Sequence, residues 1–358
     1  MRRLDYVDAL RGYAILGVLI VHVGQATDFM GPTWWGARGV QLFFVVSAMT
    51  LFASWRERGD GAFAFYVRRF FRIAPMFWLA VAFYFFLPYR GAHGDGAVEW
   101  SLWQTLSTAF FINGTAPQTL IGTVPGGWSV ADEMLFYAIF PLIAITITTW
   151  RRAALFFACA FALSLAVASQ RGHAALGFLF PTASRDELSL FAYLGLPNQI
   201  VVFAAGVLAS FAPAIPKTAV AKRAAQLVFA VATLGLIAQS SIDGGAMTRY
   251  ALLFGSAAGA MAVGAGQRLI NRAVCHLGRI SFSLYLMHFA LLVPCSAVTI
   301  GFARAGALHF GATLALVIIV GAAMSTATFT LIERPGIRFG RSIACRFSER
   351  AAVQIAPA

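Results

Sequence analysis

The sequence predicts an all-α fold: a polytopic transmembrane helical bundle of about ten spans, with both termini cytoplasmic. Three observations carry this. The 358-residue chain is 59% hydrophobic and only 11% charged, a pairing that soluble domains rarely show. Apolar runs of about twenty residues, the length that crosses a bilayer, recur along the whole chain. The basic residues gather on one side of those runs, and the positive-inside rule makes that side cytoplasmic.

The spans fall at roughly 9–28, 39–55, 70–88, 128–149, 152–170, 198–212, 224–241, 249–267, 280–300 and 311–332. Arg2, Arg3, Arg56, Arg58, Arg68, Arg69, Arg151, Arg152, Lys217, Lys222, Arg223, Arg268, Arg272, Arg279, Arg334, Arg338 and Arg341 then share one side. Loops 89–127, 171–197, 242–248 and 301–310 take the other. Residues 1–341 read as one transmembrane domain, and 342–358 as a short cytoplasmic tail that frays. The net charge of +13 is explained by membrane-flanking arginines, and no nucleic-acid partner is expected. Cys159, Cys275, Cys295 and Cys345 form no CxxC pair and read mostly as buried thiols; no metal site is expected.

The first run holds the most informative pair. Arg11 and His22 are eleven residues apart, about three helical turns, so they share a face and lie about 16 Å apart along the axis. Ionisable groups inside a span are costly and usually face a protein interior or a wet cavity. A histidine there can take a proton from a hydroxyl and return it to a leaving group; one satisfied by a neighbouring carbonyl is the bland alternative. Arg11 can pair with Asp8 and offer donors to a phosphate or carbonyl oxygen, or snorkel to the interface.

Arg68, Arg69 and Arg72 precede Pro75 at the start of the third span. They serve either as positive-inside charge or as a cradle for a polyanionic nucleotide. Pro75 removes the hydrogen bond to the Phe71 carbonyl. In loop 89–127, Trp100, Leu102, Trp103, Leu106, Phe110 and Phe111 recur at helical spacing, which suits a helix in the outer interface or a lid. Asp132 and Glu133 open the fourth span, with Tyr137 one turn beyond Glu133; a dipole cap explains one acid, and a carboxylate that orients His22 or an acceptor hydroxyl explains more. Gly255 and Gly259 mark close helix packing. Tyr285 and His288 lie at i and i+3 in the ninth span, and Glu333-Arg334-Pro335 closes the tenth.

Together these segments resemble the acyltransferase family 3 of integral membrane proteins. Arg11 with His22 is similar to its R-x10-H signature. Gly39 to Ser47, Arg68 to Pro75, Trp128 to Tyr137, Ser281 to His288 and Glu333 to Pro335 are similar to its later motifs, in order. Gln41 stands where the family usually has an acid, Ala48 where it has a glycine, and Asp132 is additional. No extracytoplasmic hydrolase module of the SGNH type is expected.

The resemblance implies an O-acyltransferase of the bacterial cytoplasmic membrane. It implies acyl-CoA, by default acetyl-CoA, as donor substrate with no permanently bound cofactor, and a glycan or lipid-linked sugar as acceptor within the lipid bilayer. On that reading His22, Arg11 and Glu133 are catalytic, with His22 the general base, while Arg68, Arg69 and Arg72 hold the donor phosphates at the cytoplasmic mouth. The alternative class is a proton-coupled transporter or flippase, which ten spans with buried His and Glu also suit. Paired broken helices in two halves, its usual mark, are not evident.

Overall fold

The computed structural model describes residues 4–59, 61–87, 100–238, 245–301 and 306–355. Among these residues the secondary structure is helical throughout, with no strand. Arg2, Arg3 and parts of three expected loops (89–99, 242–244 and 302–305) lie outside the described residues.

The first three long helices are α1 (Asp5–Ala26), α2 (Gly39–Arg58) and α3 (Gly61–Phe86), the last running through Pro75. The short α4 (Leu102–Ala109) starts at a Ser101–Gln104 capping box. It leaves Leu102, Trp103, Leu106 and Phe110 exposed, as an interfacial helix requires. Phe111 instead turns inward and stacks on Phe77 at 4.9 Å.

Then follow α5 (Gly127–Thr146) and α6 (Trp150–Ala168). Loop 171–197 is itself helical, as α7 (Gln170–Leu179) and α8 (Arg185–Leu194). Next come α9 (Leu196–Ala209), α10 (Ala219–Ala238) and α11 (Ala246–Val263). A Cβ placed on Gly255 of α11 would meet Ala205 of α9 at 2.9 Å, the close packing expected of the GxxxG.

Eight described helical stretches are long and apolar enough to cross a membrane, or nine if a bent pair counts as one span. That pair revises the expected ninth span. It begins at Arg272, not near 280, and breaks by 86° at His288 into α12 (Arg272–Met287) and α13 (Phe289–Ile300). The expected eighth span is present as α11 but is not among the eight; it carries Arg249 in its first turn and is rich in small residues.

The last helices are α14 (Gly306–Thr328) and α15 (Arg334–Ile355), joined by one π-helical stretch, Phe329–Glu333. The tail expected to fray is therefore helical to Ile355. Two cysteines also depart from expectation: Cys159 and Cys345 are exposed.

Burial separates an inner set of helices from an outer one. The apolar window of α2 is 78% buried and that of the stretch containing α9 is 72% buried; α6, α10 and the α14–α15 rod reach only 17%, 11% and 17%. Helices apolar on all sides yet exposed are suited to lipid contact. The site depends on how closely α1 meets α12. A Cβ on Gly278 would lie 1.8 Å from the Asp8 carbonyl oxygen, and one on Gly12 would lie 2.2 Å from that of Val274. Only glycine permits backbones this close, and the contact holds the Arg11 and His22 helix against the helix that ends at His288.

Candidate active site

Polar side chains from α1, α2, α3, α5 and α12 converge on one cleft of about 70 Å³, room for a few waters. Arg11, Arg69 and Arg72 line it together with Ser47, Ser129, Glu133, Tyr137 and Tyr285.

Glu133 is the seventh residue of α5, past the first turn, so capping does not account for it. Its Oε1 accepts from the Ser47 hydroxyl and from the Tyr137 hydroxyl, the latter at 2.5 Å. Asp132, one residue earlier and about 100° round the helix, is fully buried beside Gly114 and does not line the cleft.

Arg69 places its guanidinium over the rings of Phe65 and Tyr137, at 5.8 and 5.9 Å from their centroids. Arg72 lies within electrostatic reach of Arg11, Arg69 and Glu333. Glu333 belongs to the π-helical stretch and is buried, accepting from the Ser283 amide at 3.1 Å and from the Ser283 hydroxyl. π-helical turns often occur at functional sites, where they re-aim a side chain. Three arginines thus share the cleft with one carboxylate, which favours an anionic group or a carbonyl oxygen that gains negative charge.

α3 begins at Gly61, so Arg69 and Arg72 sit about 12 and 16 Å along the helix. Arg68 does not line the cleft. Pro75 behaves as expected: the Phe71 carbonyl it releases is covered by α15, where a Cβ on Gly336 would meet that oxygen at 2.7 Å.

Arg11 does line the cleft, donating from Nη2 to Thr50 Oγ1 at 3.4 Å, and it feels the charges of Asp8, Glu133 and Arg72. His22, on the same face three turns on, is not part of the lining. Its hydrogen-bond partner is Gln25 rather than the carboxylate expected to orient it: Nδ1 lies 2.7 Å from Gln25 Oε1. The imidazole packs against two side chains of the α12–α13 bend, 5.2 Å from the His288 ring and 4.5 Å from that of Phe289.

His288 completes the arrangement. It is fully buried, and its Nδ1 lies 2.7 Å from the Tyr285 carbonyl oxygen. A carbonyl oxygen only accepts, so Nδ1 carries the proton and Nε2 carries a lone pair. That Nε2 has no hydrogen-bond partner among the described residues. Tyr285 links the two regions. Its ring is 5.9 Å from that of His288, and its hydroxyl donates to the Gly126 carbonyl at 2.9 Å and lies 2.8 Å from Ser129 Oγ at the cleft wall.

Ser47 and Ser129 stood in the motif-like segments with no role assigned to them, and Gln25 carried little signal; the partner of each lies on another helix or one turn away. No group of three or more potential metal ligands occurs among the described residues.

Residues 4–331 match a family model described as an acyltransferase domain, Acyl_transf_3. The chain is similar to "Exopolysaccharide production protein ExoZ" of Rhizobium meliloti (strain 1021), 26% identical over 320 residues covering 86% of this chain and 91% of that protein. It is also similar to "Acyltransferase MdmB" of Streptomyces mycarofaciens, 27% identical over 377 aligned positions covering 94% of this chain and 92% of that protein. No solved structure matches.

Proposed function

Because the chain belongs to the Acyl_transf_3 family of membrane acyltransferases, we propose that it moves an acetyl group from cytoplasmic acetyl-CoA to a hydroxyl of an envelope polysaccharide or lipid-linked sugar. Its place is the bacterial cytoplasmic membrane. A relative named for exopolysaccharide production and another named acyltransferase, both bacterial, support the acceptor class and the setting.

In this reaction the acceptor oxygen attacks the thioester carbonyl carbon. The C–O bond forms, the C–S bond breaks, and the thiolate leaves. His22 is the general base. With Gln25 Oε1 accepting from Nδ1–H, Nε2 is free to take the acceptor's proton and return it to the departing sulfur, so that coenzyme A leaves as the thiol. His288 packs against the His22 ring and holds it in position. Arg11, Arg69 and Arg72 hold polar groups of the donor arm within the cleft, about three helical turns from His22. Glu133 fixes the Ser47 and Tyr137 hydroxyls and offsets the arginine charge while the cleft is empty of substrate.

General base catalysis contributes about 10²–10⁴-fold, roughly 3–5 kcal/mol, so positioning and oxyanion stabilisation must supply most of the acceleration. The small cleft must widen to admit two substrates.

The observation that carries this reading is that the family match coincides with a polar cleft holding three arginines and one carboxylate, joined through Tyr285 to a histidine pair. The test is transfer of labelled acetyl from acetyl-CoA by purified protein in detergent, with mass spectrometry of envelope glycans from a deletion strain. Loss of one acetyl class from those glycans is expected. An unchanged glycan profile together with no acetyl-CoA consumption in vitro would reject the proposal.

A further inference from the structure

A second cavity, larger than the cleft at about 480 Å³, opens at the arginine-rich end of the bundle. Its walls come from the start of α1, the last turns of α2, the segment after α9 and the end of α11; they include Tyr6, Thr50, Arg56, Glu57, Ser210 and Lys217. By the positive-inside rule this end is cytoplasmic.

Helix α2 serves as a ruler between the two spaces. Arg56 faces the second cavity, Thr50 lies about 9 Å deeper along the helix, and Ser47 lies about 4.5 Å beyond that, at Glu133. Thr50 belongs to the wall of the second cavity and accepts from Arg11, which lines the cleft. The Arg11–Thr50 hydrogen bond therefore reaches from the wall of one space to that of the other.

Arg56 is exposed, but its guanidinium is held in place by hydrogen bonds and by two aromatic rings. Its Nη2 donates to the Ser210 carbonyl at 2.7 Å and to Ser210 Oγ at 3.3 Å. Its guanidinium lies 4.4 Å from the Phe211 ring centroid and 5.6 Å from that of Phe52. A guanidinium held this way keeps its planar donors oriented, which suits phosphate oxygens. Lys217 adds a second cation and Glu57 one opposing charge, and the half-buried Tyr6 offers a ring on which a nucleobase can stack. Arg69 and Arg72, which lie in the cleft beside Glu133 and Tyr137, are too deep to serve a headgroup entering from this end.

We propose that this cavity holds the phosphorylated nucleotide end of the acyl donor, with Arg56 and Lys217 binding phosphate and the thioester arm passing Thr50 and Arg11 into the cleft. This rests on the acyl-CoA reading above and assigns the donor's headgroup to residues outside the cleft.

The experiment compares acetyl-CoA with acetyl-pantetheine, which carries the same thioester arm without the nucleotide, in the full-length protein in detergent. Lys217→Glu and Arg56→Gln should raise KM for acetyl-CoA and lower the preference for acetyl-CoA over acetyl-pantetheine by about tenfold or more, with Lys217→Arg restoring it. Calorimetry adds a readout independent of turnover: His22→Ala should still bind coenzyme A, and adding Lys217→Glu should weaken that binding.

Wild-type transfer with an unmoved KM in both charge variants would overturn the headgroup site while leaving the acyltransferase reading intact. The same unmoved KM with loss of co-purifying phospholipid would assign the cavity to a lipid headgroup, and also overturn the proposal. A wild-type protein that neither binds coenzyme A nor uses acetyl-CoA would overturn both readings.

Discussion

His22 and His288 face one another across the contact of α1 with the α12–α13 bend, their ring centroids 5.2 Å apart. They are 266 positions apart in the chain. Each has its Nδ1 engaged by an oxygen acceptor, which leaves both Nε2 lone pairs available. The two rings are in packing contact, and each is fixed through its own Nδ1 rather than by a bond to the other.

The first prediction concerns this pair. His22→Ala should lower kcat by about 10²–10⁴-fold, the range of general base catalysis. His288→Ala should lower it less, by roughly tenfold, because His288 positions the His22 ring and does not take the proton. Size-exclusion profiles in detergent should match wild type for both. Equal and complete loss in the two variants would instead make the pair one inseparable unit.

Glu133→Gln tests the role of negative charge. The amide can still accept from the Ser47 and Tyr137 hydroxyls but leaves Arg11, Arg69 and Arg72 without a carboxylate in the cleft. Acetyl transfer should fall by about tenfold or more, while Tyr137→Phe should have a milder effect because Ser47 still donates to the carboxylate. Wild-type kcat in Glu133→Gln would mean that its hydrogen bonds, and not its charge, matter.

Arg72→Lys keeps one positive charge but loses the planar fork that can serve more than one oxygen. Arg72 is within reach of Glu333 and of the other cleft arginines. The expected result is a kcat reduced at least about tenfold with thermal stability in detergent nearly unchanged. A large drop in melting temperature would point to a packing role.

Gly278→Ala tests the helix contact beneath the site. The added methyl would start 1.8 Å from the Asp8 carbonyl oxygen, so α1 and α12 must separate. Overpacking of this kind costs about 1–3 kcal/mol. The variant should melt earlier and lose transfer activity, because His22 and His288 are carried by the two elements forced apart. Retained stability with full activity would show that the contact yields easily.

Much of the architecture was legible in the chain. Apolar runs marked the helices, because crossing hydrocarbon requires both length and internally satisfied backbone. Helical spacing placed Arg11 and His22 on one face and picked out the exposed band of α4. The cost of polar groups at membrane depth singled out Glu133, Tyr285, His288 and Glu333 from their apolar surroundings.

The order of residues along the chain thus suffices for an all-helical membrane bundle and a short roster of side chains too expensive to be idle. Which of them meet is settled only in the folded bundle. Periodicity states which face of a helix a residue occupies but not which neighbour that face meets, so the turn of His22 toward Gln25 and His288, and of Glu133 toward Ser47 and Tyr137, could not be read from spacing. Hydropathy also misplaced the start of α3, because Arg68, Arg69 and Arg72 interrupt its apolar run; the helix starts at Gly61, and Arg69 and Arg72 line the cleft. The 86° bend falls at His288 with neither glycine nor proline at the break, so no helix-breaking residue marks it. It arises in how α12 and α13 pack, and it brings the second imidazole beside the first.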